Sequence, residues 1–337
     1  MSTGESSQEI GPSSETIQQR THWIRAKEIR QVAIKDYLRS IDKEVPDYEK
    51  DVREHTAKIL DEDEFKEFKR QFRFGGQQSL NFFVITGISN EFDDLESKVI
   101  RQFPRSEEVE GMKNEPFIAN ARQFNDRLYL VLGRHVTTKW TDPETGEPQR
   151  ELYPDECIAV INRDTDLVHV RTADVALSRK ICKTVARAVG IDVTRDDVLY
   201  KPDFDQQFIE ELGDEIQKYI NMSLHINESS DRTAGSVRFT SQKSDDGKYM
   251  DLRDDKQVQN ELTQGDGNIS RGYVKLKEGG FSFDLNRPQS KIWFRSYERE
   301  ERINKIEELI NDVLGQSGGY PQQKLQEFGN VSKRDSS

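Results

Sequence analysis

The chain has 337 residues, 33% of them hydrophobic and 33% charged, with a formal net charge of −12. This length fits two domains or one large one, and the apolar residues cluster in periodic runs, so most of the chain is expected to fold. The acidic balance argues against a protein that coats nucleic acid with its whole surface, because bulk negative charge opposes phosphate; a local basic face remains compatible with it.

No apolar run reaches the roughly 18 residues of a membrane-spanning helix, so no membrane partner is expected. The opening stretch, MSTGESSQEIGPSSET, has neither the positive region nor the apolar core of a signal peptide, and the expected location is cytoplasmic. Cys157 and Cys182 stand in apolar surroundings without metal or disulfide spacing, which reads as two buried thiols.

In chain order, residues 1–18 are rich in Ser, Glu and Gly and are expected to form a disordered tail. A helical segment is expected over 19–76. Its first helix, about Thr21–Ile41, is basic through Arg20, Arg25, Lys27, Arg30, Lys35 and Arg39, which fits a solvated, salt-bridged helix better than a ligand contact. A second helix is expected over about Pro46–Leu60 and a third over Glu62–Phe72, where Phe65, Phe68 and Phe72 share one face.

A first α+β half is expected over 79–190. It reads as a strand (Leu80–Thr86), a helix (Glu91–Phe103), a strand (Arg127–Gly133), a turn-rich DPETGEP insertion, strands Cys157–Ile161 and Leu167–Arg171, and a helix from Asp174. Residues 191–222 read as a connector and a linking helix, Asp203–Ile220, from the spacing of Phe204, Phe208, Leu212, Ile216 and Ile220. The second half, 223–315, reads as strand Ser236–Thr240, helix Leu252–Leu262, strands Arg271–Lys277, Phe281–Leu285 and Lys291–Arg295, and helix Glu298–Leu314. Residues 316–337 are expected to form a flexible tail.

The stretch Asn162–Gly190 returns as Asn286–Gly315. Each opens on Asn-Arg, crosses a tight turn, ends a strand on Arg and a hydroxyl residue (Arg171-Thr172, Arg295-Ser296) and stops a helix at Gly. The pattern predicts an α+β fold of duplicated β-α-β-β-β-α halves, forming a curved antiparallel sheet with helices on one face. In element order over about Ser79–Gly315 it resembles the saddle-shaped proteins of the TATA-binding-protein superfamily. The resemblance implies an open sheet face that contacts DNA or protein.

Strand alternation predicts which side chains leave the core. The predicted open face carries Arg171, Arg238, Arg271, Tyr273, Lys275, Lys291, Trp293 and Arg295. Cations neutralise phosphates and rings stack on bases, so these residues are the candidate nucleic-acid-binding surface of a non-enzymatic binding protein, for DNA or RNA. The plainer expectation is a solvated face of an antiparallel sheet. The matching face of the first half is apolar, with Phe83, Ile85, Tyr129, Val131 and Leu167, and is expected to be covered by the N-terminal helices, a partner protein or a second copy. A protein–protein adaptor or homodimer is therefore the alternative. A third reading is an enzyme of unrecognised type. Histidines 22, 55, 135, 169 and 225 are scattered, and no phosphate loop, dinucleotide fingerprint or nucleophile elbow is present, so no cofactor or metal is expected. Only the abundant carboxylates, chiefly around Thr138–Asp155, leave a catalytic site open.

Overall fold

The computed structural model describes residues 12–316 apart from 27, 28, 30, 47–50, 74–78, 110, 111, 113, 114, 142–147, 227–234, 264–266, 279, 280, 296 and 297, and apart from the side chains of 26, 73, 137–141, 148–154 and 316. Of the tails expected over 1–18 and 316–337, residues 1–11 and 317–337 fall outside the described residues, as does the tip of the DPETGEP turn. The chain divides into two compact units, residues 1–77 with 295–307, and residues 78–294 with 308–337.

The first unit is helical: α1 (Ser14–Ala26), α2 (Gln31–Ser40), α3 (Val52–Ile59) and α4 (Glu62–Arg73). One expected basic helix is thus two, and α1 begins inside the stretch expected as tail. The four pack around Ile24, Ile34, Leu38, Phe68 and Phe72, all wholly buried, with Trp23 edge-on to Phe65 and Phe68. The comb of phenylalanines on α4, Phe65, Phe68 and Phe72, supplies the largest side chains of this core together with Tyr37. Arg20 is buried and donates to the carbonyls of Ala57 and Leu60, the orphan acceptors at the end of α3. Its charge is therefore spent inside the helical unit.

The second unit is built on one open antiparallel sheet. In chain order its elements are β1 (Ser79–Ile85), α5 (Phe92–Gln102), β2 (Phe117–Phe124), β3 (Arg127–Thr141), β4 (Pro148–Asn162), β5 (Leu167–Arg171), α6 (Val175–Ala188), β6 (Leu199–Tyr200), α7 (Gln206–Glu215), β7 (Ile216–Ile226), β8 (Ser236–Thr240), α8 (Lys256–Thr263), β9 (Gly267–Leu276), β10 (Ser282–Asn286) and β11 (Lys291–Trp293). A last helix, α9 (Glu300–Gln316), is shared between the units by sequence. The strand order is β2-β3-β4-β5-β1-β11-β10-β9-β7-β8, with β6 also paired to β1. The expected α+β class and antiparallel sheet are present. Among the described residues no helix is long and apolar enough to cross a membrane.

β3 and β4 run beyond their expected bounds, β6 lies in the expected connector, and two further elements differ more deeply. The linking helix stops at Glu215, and Ile216 turns to extended backbone to open β7. Residues 216, 220, 222, 224 and 226 are all buried, so four-residue helical spacing and two-residue strand spacing coincide over Ile216 and Ile220. The β-branched Ile216, Ile220 and Ile226 with Tyr219 suit a strand. The other difference is β2, which apart from the half-buried Ala121 is exposed beyond its first two residues and so carried no apolar signal.

The strand order does not show the expected duplication. β1 lies at the centre between β5 and β11, whereas β8, its counterpart by element order, lies at the outer edge beside β7. The two halves of the sheet are instead joined at its middle by β1–β11 pairing, Leu80 opposite Ile292 and Asn81 opposite Lys291.

That central pairing decides the faces, because residues opposite each other on antiparallel strands point to the same side. Asn81 also opposes Val170, which opposes Ala159, which opposes Leu130. On this side of the first half Phe83, Val168, Val170, Ala159 and Leu130 pack under Leu95 and Val99 of α5 and Leu177, Ile181 and Val185 of α6. The other side holds Leu80 and Phe82 with Arg171 and His169 opposite them, and continues through Ile292 and Leu285. There the Phe82 ring meets Phe204, which stacks on Phe208 of α7.

Candidate functional site

The buried side of β9, β10 and β11 is set by Val274, Phe283, Leu285 and Ile292, all at most 1% exposed. The intervening residues must leave on the opposite side, and the ladder aligns them into rungs. One rung runs Asn81, Lys291, Asn286, Arg271, Ser223, Arg238 across six strands. At the ~4.8 Å spacing of neighbouring strands that is about 24 Å. The next rung runs Ser79, Trp293, Asp284, Tyr273, Asn221, Thr240, and beyond it Lys275 stands opposite Ser282 and Lys218. Cations thus lie on both sides of an aromatic rung, each rung about 7 Å from the next along the strands.

Trp293 is 41% exposed, an unusual setting for the largest apolar side chain, while Arg238 and Arg271 are exposed and Tyr273, Lys275 and Lys291 half-buried. Six of the eight predicted site residues are therefore brought onto one surface: Arg238, Arg271, Tyr273, Lys275, Lys291 and Trp293.

The remaining two are placed elsewhere. Arg171 opposes Leu80, hence shares a side with Ile292 rather than with Lys291, and is only 5% exposed. Its Nε donates to Nε2 of His169 at 3.1 Å, and its guanidinium lies 5.9 Å from the Tyr129 ring centre. Burial, then the neighbouring charges of Arg171 and Arg127, hold the His169 imidazole well below its usual titration range, so it is a neutral acceptor in the interior. Arg295 is exposed but follows the end of β11 and belongs to the helical unit. The apolar patch expected around His169 is divided as well. Phe83 and Ile85 lie on the α5–α6 side and Tyr129, Val131 and Leu167 on the other, and all but the half-buried Val131 are buried within this chain.

Two lysines mark the inner end of the cation rung. Lys291 donates to the carbonyl of Ala173 at 3.3 Å, and partial burial holds its ammonium below the usual lysine range. Lys201 donates to the carbonyl of Gln289 at 2.7 Å and is lowered by partial burial, then by the charges of Lys291 and Arg179. Both ammoniums would gain from a nearby anion. Lys201 and Arg179 carried no sequence signal: Lys201 sits in a connector and Arg179 on the outer face of a helix.

Beside this rung lies a cleft of about 660 Å³ at the strand ends, lined by Lys201, Asp203, His225, Ser270, Arg287 and Ser290 among others. Among the described residues no group of three His, Cys, Asp or Glu could hold a metal ion. Burial raises the Cys157 thiol to about 12 and pushes Cys182 higher still, which removes both as nucleophiles near neutral pH. Asp155 and Asp174 are bound by Arg134, and Asp166 accepts from the backbone of Gly87 and Ser89, so these carboxylates hold loops and a helix cap. Most other side chains of the Thr138–Asp155 stretch lie outside the described residues. The chain matches no known protein-family model, and no curated protein is similar to it in sequence.

Proposed function

We infer that the chain is a non-enzymatic binding protein that takes nucleic acid, preferentially single-stranded, on the exposed side of β7–β11. The observation that carries this reading is the exposed Trp293 on a rung with Tyr273, between rungs bearing Lys291, Arg271 and Arg238 on one side and Lys275 on the other. Phosphates favour the cation rungs, and unstacked bases favour the rings between them. Asp284, opposite both rings, repels phosphate from the aromatic rung and accepts hydrogen bonds from a base edge there. The local basic strip explains how a chain of net charge −12 approaches a polyanion at one place only.

A labelled oligonucleotide titrated by fluorescence anisotropy across a salt series tests the reading. Affinity is expected to fall steeply with salt, and Trp293→Ala to weaken it roughly five- to hundredfold, the worth of one stacked base. Arg271→Glu combined with Lys275→Glu is expected to abolish binding. Binding indifferent to salt and to both changes would overturn it. The adaptor reading finds no surface in Phe83, Ile85, Tyr129 or Leu167, which are interior.

A further inference from the structure

We propose that the cleft at the end of the sheet binds a phosphomonoester and, resting on the nucleic-acid reading above, that it receives the terminal phosphate of a strand lying on the basic face. The chain itself links cleft and face. Ser270 of the lining runs directly into Arg271, Arg287 follows Asn286, and Ser290 precedes Lys291, so three walls of the cleft continue the cation rung. A strand following Lys291, Asn286 and Arg271 therefore runs alongside this opening, where its terminal phosphate can turn in.

The lining suits a compact anion. Lys201, Arg287 and the imidazole N–H of His225 face one carboxylate, Asp203, in a chain that is acidic overall. Arg287 is half-buried, and its guanidinium offers the planar fork that matches two phosphate oxygens. Lys201 uses one N–H on the Gln289 carbonyl and keeps two for a ligand. The walls are fixed in advance. Ser290 Oγ donates to the Pro202 carbonyl at 2.6 Å and Ser290 N to the Arg287 carbonyl at 3.0 Å. Asn286 Nδ2 donates to Gln289 Oε1 at 3.1 Å, and Pro288 stiffens the 3₁₀ turn Arg287–Gln289 that presents the guanidinium. Such a site needs little reorganisation on binding. A phosphomonoester carries more charge than the diester links along the rung, which is what distinguishes a strand end from its interior.

The test compares one single-stranded oligonucleotide ending in 5′-phosphate, 3′-phosphate or hydroxyl at both ends, with the full chain and with Arg287→Gln, and adds a nucleoside monophosphate alone. Thermal melts establish that the variant is folded. One end phosphate is expected to tighten binding about tenfold, the scale of one charge-assisted contact set. Arg287→Gln is expected to remove that difference while leaving the hydroxyl-ended strand within about twofold. If all three strands bind alike and Arg287→Gln alters none, the cleft proposal is overturned and the face reading stands. If no strand binds but the monophosphate does, with dependence on Arg287, the face reading fails and the cleft stands as a site for a free phosphomonoester. Binding of neither overturns both.

Discussion

The side of the sheet that holds Val170, Ala159 and Leu130 in the first half holds Lys291, Asn286 and Arg271 in the second. On the first stretch it is sealed by α5 and α6, and on the second it carries an exposed tryptophan among cations. The opposite side is buried in both halves: Arg171 and His169 share it with Ile292 and Leu285, and all four are at most 5% exposed. One continuous hydrogen-bonded sheet is therefore buried on both sides in its first half and on one side only in its second. The side under α5 and α6 is core only where those helices cover it, and β1 with β11 is where that cover ends. Asn81 stands at that point, wholly buried, its Nδ2 donating to the Thr172 carbonyl.

The sharpest way to break this comparison is one substitution on the same side in each half. Val170→Asp places an unpaired carboxylate under α6 and is expected to cost more than about 3 kcal/mol or to prevent folding. Arg271→Asp, on the same side, is expected to change stability by no more than about 0.5 kcal/mol. Urea unfolding followed by circular dichroism measures both, and comparable losses would show that the side does not change character at β1.

A smaller effect separates the two sides by pH. His169 is held neutral in the fold, so the unfolded chain binds more protons, and stability is full above the ordinary histidine range near 6.5 and lost as pH falls below it. The slope is at most about 1.4 kcal/mol per pH unit. His169→Gln keeps an acceptor for Arg171 and is expected to flatten the difference between unfolding at pH 7 and pH 5. An unchanged slope would assign the acid sensitivity elsewhere.

The smallest effect belongs to the exposed side. Lys201 and Lys291 are depressed below the usual lysine value, so between the depressed and ordinary values the unfolded chain again binds more protons and stability rises with pH. An anion at the inner end of the cation rung raises both values, so oligonucleotide binding at a pH just below the usual lysine range is expected to take up a fraction of a proton. Calorimetry in two buffers of different ionisation enthalpy reads this directly, and Lys201→Met with Lys291→Met is expected to remove it. Proton release instead would place the anion away from these lysines.

Much of the fold was legible because its signals are local. Phe65, Phe68 and Phe72 announced α4, Asp174 marked the cap of α6 by accepting from Leu177 N, and Leu167–Arg171 is a strand over its expected bounds. Six site residues came from alternation alone, since Tyr273 and Lys275 must leave the side that Val274 enters. β7 was hidden because Ile216 and Ile220 fit helix and strand spacing equally, and Arg171 was misplaced because the repeated Asn-Arg stretch suggested an equivalence with Arg295 that the strand order does not contain.

The sequence by itself determined which residues share a side within each strand and each helix, because those periods follow from the backbone of a few consecutive residues. Only the tertiary structure decided which side of the sheet is covered, and so where the basic strip ends. That depends on Leu80 and Asn81 finding Ile292 and Lys291 from the far end of the chain, and on where α5, α6 and α7 come to rest. Backbone hydrogen bonds between strands are the same for any sequence, so the choice of partner is made by the packing of whole faces and leaves no local pattern to read.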